Sequence, residues 1–475
     1  MTSRERVPTG IDGLDLILGG GVLRGHCVLV EGTPGSGKTT FGLQFIHGGI
    51  LRHGEAGLVV TFEQSPEQIY RDAANFGWDI PALEAENRVR VVCTSPEVLR
   101  DQLRRPEGLL DGWIRDLGVR RMLIDGFSQL EVLAGENLAE QRALFLGLLN
   151  ALKQRGLTVF VTREASEGEA EGGSFAGFIS DAVVRVTNIA ERWGERRSRY
   201  VEVLKTRGQE HVSGRHAFRF GPDGIRVFPI LAPPEAANPP AEDLAPTGVS
   251  GLDHLLGGGA PRPASILVSG ETGTGKTILG LQFLREGARR GEPGLLFLYQ
   301  ETPAQVARVA ASFGWDLARL AAEGRLRTVY APFAGLSLSE HLWSVAAAAR
   351  EVGARRIVFD SLSAMLHEVS AQPTLARERT DHLIRLTKAA GATALFIAEV
   401  PAGSAQISTY GVEESLVDAV VLLRATREGA RRRRGIEVHK MRGAGHVMGE
   451  HRIRITPAGI KVFYRPTRGE ERDEP

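Results

Sequence analysis

Two tandem α/β domains, each a mostly parallel sheet flanked by helices with antiparallel hairpins on one edge, are what this sequence predicts. Three observations carry that expectation. A phosphate-binding loop, Gly32-Thr33-Pro34-Gly35-Ser36-Gly37-Lys38-Thr39-Thr40, follows the apolar run Cys27-Val28-Leu29-Val30 and precedes a helix-like stretch at 41–46. The loop returns as Gly270-Glu271-Thr272-Gly273-Thr274-Gly275-Lys276-Thr277-Ile278, after Ser265-Ile266-Leu267-Val268. Short apolar runs alternate with helix-length segments throughout both halves, the pattern of a parallel sheet covered on both faces.

The two halves are one module written twice. Thr9-Gly10-Ile11-Asp12-Gly13-Leu14-Asp15 returns as Thr247-Gly248-Val249-Ser250-Gly251-Leu252-Asp253, and Phe76-Gly77-Trp78-Asp79 as Phe313-Gly314-Trp315-Asp316. Arg121-Met122-Leu123-Ile124-Asp125 matches Arg356-Ile357-Val358-Phe359-Asp360, and Lys205-Thr206-Arg207-Gly208 matches Lys440-Met441-Arg442-Gly443. The expected organisation is a first domain over 1–230, a Pro/Ala-rich linker over 231–246, a second domain over 247–465 and a disordered charged tail over 466–475. Prolines deny the linker both a helix interior and a sheet ladder.

Within the first half, strands are expected at 58–62, 89–92, 122–124 and 158–161, and helices at 66–76, 109–117 and 139–154. The runs at 200–204, 217–220 and 225–228, separated by Gly turns, predict the antiparallel hairpins.

Composition bounds the function classes. The chain has 475 residues, 42% hydrophobic and 24% charged, which suits an ordinary globular protein of two or more domains. Lys and Arg number 58 against 57 Asp and Glu, a net charge of +1, so bulk electrostatics makes no case for a polyanionic partner. The two cysteines, Cys27 and Cys93, lie in apolar runs without metal-ligand spacing and read as buried free thiols in a reducing compartment. The first residues lack an apolar signal core, and no run of about 18 apolar residues occurs. A cytoplasmic location, with no membrane association, is expected.

The loops predict nucleotide chemistry. Glycines let successive backbone N–H groups face one centre, the helix N-terminus adds positive potential, and Lys38 or Lys276 brings a mobile charge. Thr39 and Thr277 can ligate Mg²⁺, and the strand-ending acids Asp125 and Asp360 can hold the same ion or its waters. ATP and Mg²⁺ are therefore the expected cofactors. A carboxylate is also needed to orient or deprotonate the attacking water, and the candidates are Glu63 and Glu301. Their contexts differ: Glu63-Gln64 aligns with Gln300-Glu301, and adjacent strand residues would point to opposite faces.

The ordered set of motifs resembles the KaiC family of circadian clock proteins, specifically its double-domain members among the RecA-like P-loop ATPases. The likeness rests on Thr-Gly-x-x-Gly-Leu-Asp, the two phosphate loops, Phe62-Glu63-Gln64 and Gln300-Glu301, Asp360-Ser361-Leu362-Ser363, Tyr410-Gly411-Val412-Glu413-Glu414 and Lys440-Met441-Arg442-Gly443. It implies a homohexameric double ring with ATP between neighbours, read by a regulatory protein partner. It further implies that Lys205, Arg207, Lys440 and Arg442 reach the γ-phosphate held by the adjacent subunit, where cations can be worth about 10³ to 10⁵ in rate.

The sequence departs from that family in two places. Family sites carry adjacent glutamates, whereas each half here keeps one, so hydrolysis is expected mainly in the first domain. The family's clock protein phosphorylates adjacent Ser and Thr in its second domain. Those places hold Glu414 and Ser415 here, leaving Ser415 as the candidate phosphoacceptor for a weak Ser/Thr autokinase. The rival reading is a RecA/RadA-like DNA-dependent ATPase of recombination or repair. It leans on Arg431-Arg432-Arg433-Arg434, which reads better as a solvated hairpin tip, and nucleic acid is not the expected partner.

Overall fold

The computed structural model describes residues 5–105, 107–133, 137–165, 175–190, 197–230, 243–332, 337–369, 372–404, 406–428 and 431–464. The expected tail at 466–475 lies outside them, as does the expected linker up to residue 242. Leu244–Ala245 pairs antiparallel with Ala260–Pro261. The chain divides after Leu231 into two compact units.

Among the described residues each unit holds one nine-stranded sheet. In the first unit the strands are β1 (Cys27–Gly32), β2 (Ala56–Thr61), β3 (Val89–Cys93), β4 (Val119–Asp125), β5 (Thr158–Glu164), β6 (Ala182–Ala190), β7 (Arg197–Thr206), β8 (Arg215–Gly221) and β9 (Gly224–Phe228), in the spatial order β3-β2-β4-β5-β1-β6-β7-β8-β9. The second unit repeats that order with β10 (Ser265–Gly270), β11 (Gly294–Leu298), β12 (Leu326–Tyr330), β13 (Arg356–Asp360), β14 (Thr393–Glu399), β15 (Ala419–Glu428), β16 (Arg431–Met441), β17 (Glu450–Thr456) and β18 (Gly459–Phe463). Strands from β3 to β6, and from β12 to β15, run parallel; the remaining three pairs at each edge are antiparallel.

Burial on both faces explains the apolar runs. In β1, Val28 and Val30 enter one core while Cys27 and Leu29 enter the other. The central strand of the second unit does the same, with Ile266 and Val268 on one side and Leu267 on the other. A strand covered twice can carry no alternation of polar residues.

Helices predicted from spacing fall where expected: Pro66–Ala74, Leu109–Leu117 and Leu138–Gln154. The helices Ile80–Ala85 and Pro96–Arg104 were not anticipated, although both follow a polar cap, Asp79 and Ser95, and carry Pro in the first turn.

One buried cation braces each phosphate-loop helix. Arg121, on β4, donates from Nε to Glu55 at 2.7 Å and from one terminal nitrogen to the carbonyls of Pro8 and Phe45. Its guanidinium lies 4.7 Å from the Phe45 ring centroid. Arg356 copies every contact with Glu292, Pro246 and Phe283. The Arg-first landmark of the repeat is thus a structural tie between the nucleotide helix and the sheet.

Candidate nucleotide sites

Each loop is a strand-to-helix turn that only glycine can make. Gly37 precedes helix Lys38–His53 with φ at +105°, and a Cβ there would lie 2.6 Å from the Phe220 ring. Gly275 precedes helix Lys276–Arg289 with φ at +112°. Neither helix start is capped by a side chain, so its N–H groups face the loop.

The predicted loop and acid residues converge. Thr39 donates its hydroxyl to both carboxylate oxygens of Asp125, at 3.0 and 3.1 Å. Thr277 donates to Asp360 at 2.8 Å. A hydroxyl beside a carboxylate is a hard oxygen pair of the kind that holds Mg²⁺ together with nucleotide phosphates and waters, so these donors fit that ion. Burial raises the Asp125 pKa, and it pushes Asp360 up to about 6. Burial also holds both loop lysines below the usual lysine range. Lys38 Nζ donates to the carbonyl of Thr33, and Lys276 Nζ to those of Gly270 and Glu271.

Glu63 and Glu301 sit in the loops that leave β2 and β11, beyond the strands, so the opposite-face argument from sequence does not apply to them. Glu63 accepts from Gln129 at 3.0 Å, and its charge adds to the upward push on Asp125. Glu301 exerts the same influence on Asp360, so both glutamates lie near the nucleotide acids. Register between the loops is fixed by matching capping boxes: Ser65 N–H to Gln68 at 2.8 Å, and Thr302 N–H to Gln305 at 2.7 Å. Counting back from the caps sets Glu63 opposite Gln300, as the sequence alignment has it.

The four expected finger residues are held on their own chain. Lys205 donates to the carbonyls of Gly177, Phe178 and Ser180, each at 2.9 Å, and Arg207 to those of Phe178 and Ile179. Lys440 donates to the carbonyls of Glu414 and Val417, and Arg442 to that of Ser415. In both domains the cations therefore close the C-terminal end of a short helix, Phe175–Ile179 or Glu413–Leu416. Ser415 is exposed, and its hydroxyl accepts from Arg377 at 2.9 Å.

Sequence reasoning missed three groups. Glu164 and Glu399 end β5 and β14 and act on the loop lysines, Glu399 at 3.8 Å from Lys276. Their spacing equals that of Asp125 and Asp360, a signal that was there to be read. Thr162 donates to Asp125 at 2.6 Å. Arg432 and Arg434, expected at a solvated tip, lie on β16 and hold the second loop through Glu271 and the Gly273 carbonyl.

A family profile described as "ATPase: KaiC" matches residues 7–232 and again 245–467. The chain belongs to the KaiC family. Relatives named circadian clock oscillator protein KaiC align with nearly the whole chain: the protein of Parathermosynechococcus lividus is 33% identical over 96% of this chain and 84% of its own. That of Thermostichus vulcanus is 33% identical over 96% and 89%, and that of Prochlorococcus marinus subsp. pastoris 33% over 96% and 91%. This KaiC-like chain is thus a nucleotide-binding ATPase of two tandem RecA-like domains. No helix among its described residues is long and apolar enough to cross a membrane.

Proposed function

We propose that the chain works as a cytoplasmic homohexameric double ring that binds Mg²⁺·ATP between neighbouring copies, hydrolyses it mainly in the first domain, and signals its state to a regulatory protein partner. The observation that carries this reading is Glu63 beside Asp125 at the first loop, with Gln300 in the equivalent place at the second. Glu63 orients the attacking water and takes its proton, which an amide cannot do. Lys38 neutralises charge on the transferred phosphoryl group. Thr39 and Asp125 would hold Mg²⁺, which would supply neutralisation of phosphate charge. Lys205 and Arg207 leave their helix carbonyls on assembly and reach the neighbouring copy's nucleotide.

The second domain, with Lys276, Thr277, Asp360 and Glu301, binds ATP and turns it over slowly. Ser415, exposed and beside Arg377, is the one residue left to accept a phosphoryl group where Glu414 has replaced its neighbour. The clock role named for the relatives supports a regulatory output. For the DNA-dependent alternative, the arginine run loses weight because Arg432 and Arg434 already bond the phosphate loop. Phosphate release measured together with particle mass, with and without ATP, tests the proposal: ATP should bring six copies together and be hydrolysed. A monomer that releases phosphate at the same rate would contradict it.

A further inference from the structure

Glu63 is held by a side chain that the second domain cannot supply. Gln129, on the helix Ser128–Leu133, donates from its amide nitrogen to one carboxylate oxygen of Glu63 at 3.0 Å. The bond commits that oxygen and so sets which way the other one points. Counted from the strand-ending acids Asp125 and Asp360, the residue that matches Gln129 is Ala364, which has no side-chain donor.

A helix of six residues does not hold its shape alone in water, so tertiary ties must place Gln129. Leu130 is buried in the core, and the Ser128 hydroxyl accepts the backbone N–H of Glu164 at 3.1 Å. The second domain repeats the serine tie, Ser363 to Glu399 at 2.9 Å. The two domains part at the charges that continue from the helix into the sheet. Glu131 accepts from Arg163 of β5 at 2.9 Å, and Arg163 lies 3.9 Å from Glu31, the residue of β1 that precedes the phosphate loop. Glu31 in turn accepts from Arg185 of β6 at 2.6 Å. Only 3% of the Glu31 side chain and 8% of the Arg163 side chain are exposed.

Strand register matches Glu31, Arg163 and Arg185 with Ser269, Ala398 and Leu422, and the count from Asp360 matches Glu131 with Leu366. Each of these charges thus belongs to the first domain alone, as Glu63 and Gln129 do. Separating buried partners leaves uncompensated charge, so the chain of charges resists any slide of the helix against the strand that carries the loop.

We propose that Gln129 is a positioning residue for Glu63, set in register with the first phosphate loop by the charge chain Glu31–Arg163–Glu131. It acts on the attacking water only through the Glu63 carboxylate. The inference rests on the reading of Glu63 as the hydrolytic group and adds what holds that group in its working orientation.

The test is steady-state phosphate release by the full chain at varied ATP. Gln129→Met keeps the side-chain length and removes the donor, and because Gln129 is exposed the melting of the chain should not move. Its kcat should fall about ten- to a hundredfold while KM for ATP stays within about twofold. Glu131→Gln cuts the charge chain one step back. Alone it should lower kcat by about three- to tenfold, and in the Gln129→Met background it should lower it no further. Unchanged kcat in Gln129→Met, a loss there accompanied by lowered melting, or losses from the two substitutions that multiply would each overturn the positioning role. Glu63→Gln run alongside separates this inference from the reading beneath it. If that variant loses turnover and Gln129→Met keeps it, the positioning role alone falls; if Glu63→Gln keeps turnover, the Glu63 reading falls and takes this inference with it.

Discussion

Thr162 donates its hydroxyl to Asp125 at 2.6 Å, and the second domain has Ile397 at the matching place beside Asp360. Among the described residues the first acid therefore keeps two hydroxyl donors, Thr39 and Thr162, and the second keeps Thr277. A buried carboxylate short of donors resists ionising, and burial pushes Asp360 up to about 6.

This asymmetry gives a pH prediction. The raised pKa favours the neutral acid in the folded apo domain, a stabilisation present at low pH and lost as pH rises through about 6. Mg²⁺ needs the ionised form, so Mg²⁺·nucleotide affinity at the second site should fall as pH drops from neutral through about 6. Ile397→Thr, by restoring a donor, should move that midpoint down, and Thr162→Val should weaken Mg²⁺ dependence at the first site. Loss of the Thr162 bond should cost about 1.5–3 kcal/mol in the first domain's stability. Nucleotide titrations against pH, and chemical denaturation, read these effects.

Arg121→Ala and Arg356→Ala should each destabilise their own domain by about 3–5 kcal/mol, because each leaves a half-buried glutamate, Glu55 or Glu292, without its deepest partner. Denaturant unfolding followed by intrinsic fluorescence checks this. A loss below 1 kcal/mol would mean that the tie behaves like a surface ion pair.

Arg207→Ala should lower phosphate release while leaving nucleotide binding in place under the proposed ring, in which Arg207 leaves the Phe178 and Ile179 carbonyls that hold it in the single chain to serve a neighbour's phosphate. Unchanged turnover in the assembled ring would defeat the finger assignment.

Mass spectrometry after incubation with ATP should find any phosphate within 404–415 on Ser415. Ser408 is fully buried and bonded to Glu413 and Glu414, which leaves it no access. Absence of phosphate throughout that stretch would remove the autokinase from the account.

Much of this was legible in the sequence because the repeat doubled each signal. The loops, Asp125 and Asp360 stand at strand ends whose apolar runs are unmistakable when both sheet faces are buried. The helix 109–117 was read from the helical spacing of Leu109, Leu110, Trp113, Ile114 and Leu117, whereas Pro96–Arg104 was not, since it offers only Val98, Leu99 and Leu103. Thr162, Glu271 and Arg432 were illegible for a different reason. Their roles depend on contacts across strands far apart in sequence, and a hydroxyl or charge gives no local sign of such a partner. The glutamates were misjudged by one step, since β2 and β11 end before them and strand alternation no longer orders their side chains.

Phosphate release from full-length Glu63→Gln and Glu301→Gln, each with nucleotide occupancy measured in parallel, tests the central claim. Glu63→Gln should lose most of the turnover while still binding ATP at both loops, and Glu301→Gln should keep most of it. Retention of turnover in Glu63→Gln with its loss in Glu301→Gln would contradict the assignment of hydrolysis to the first domain.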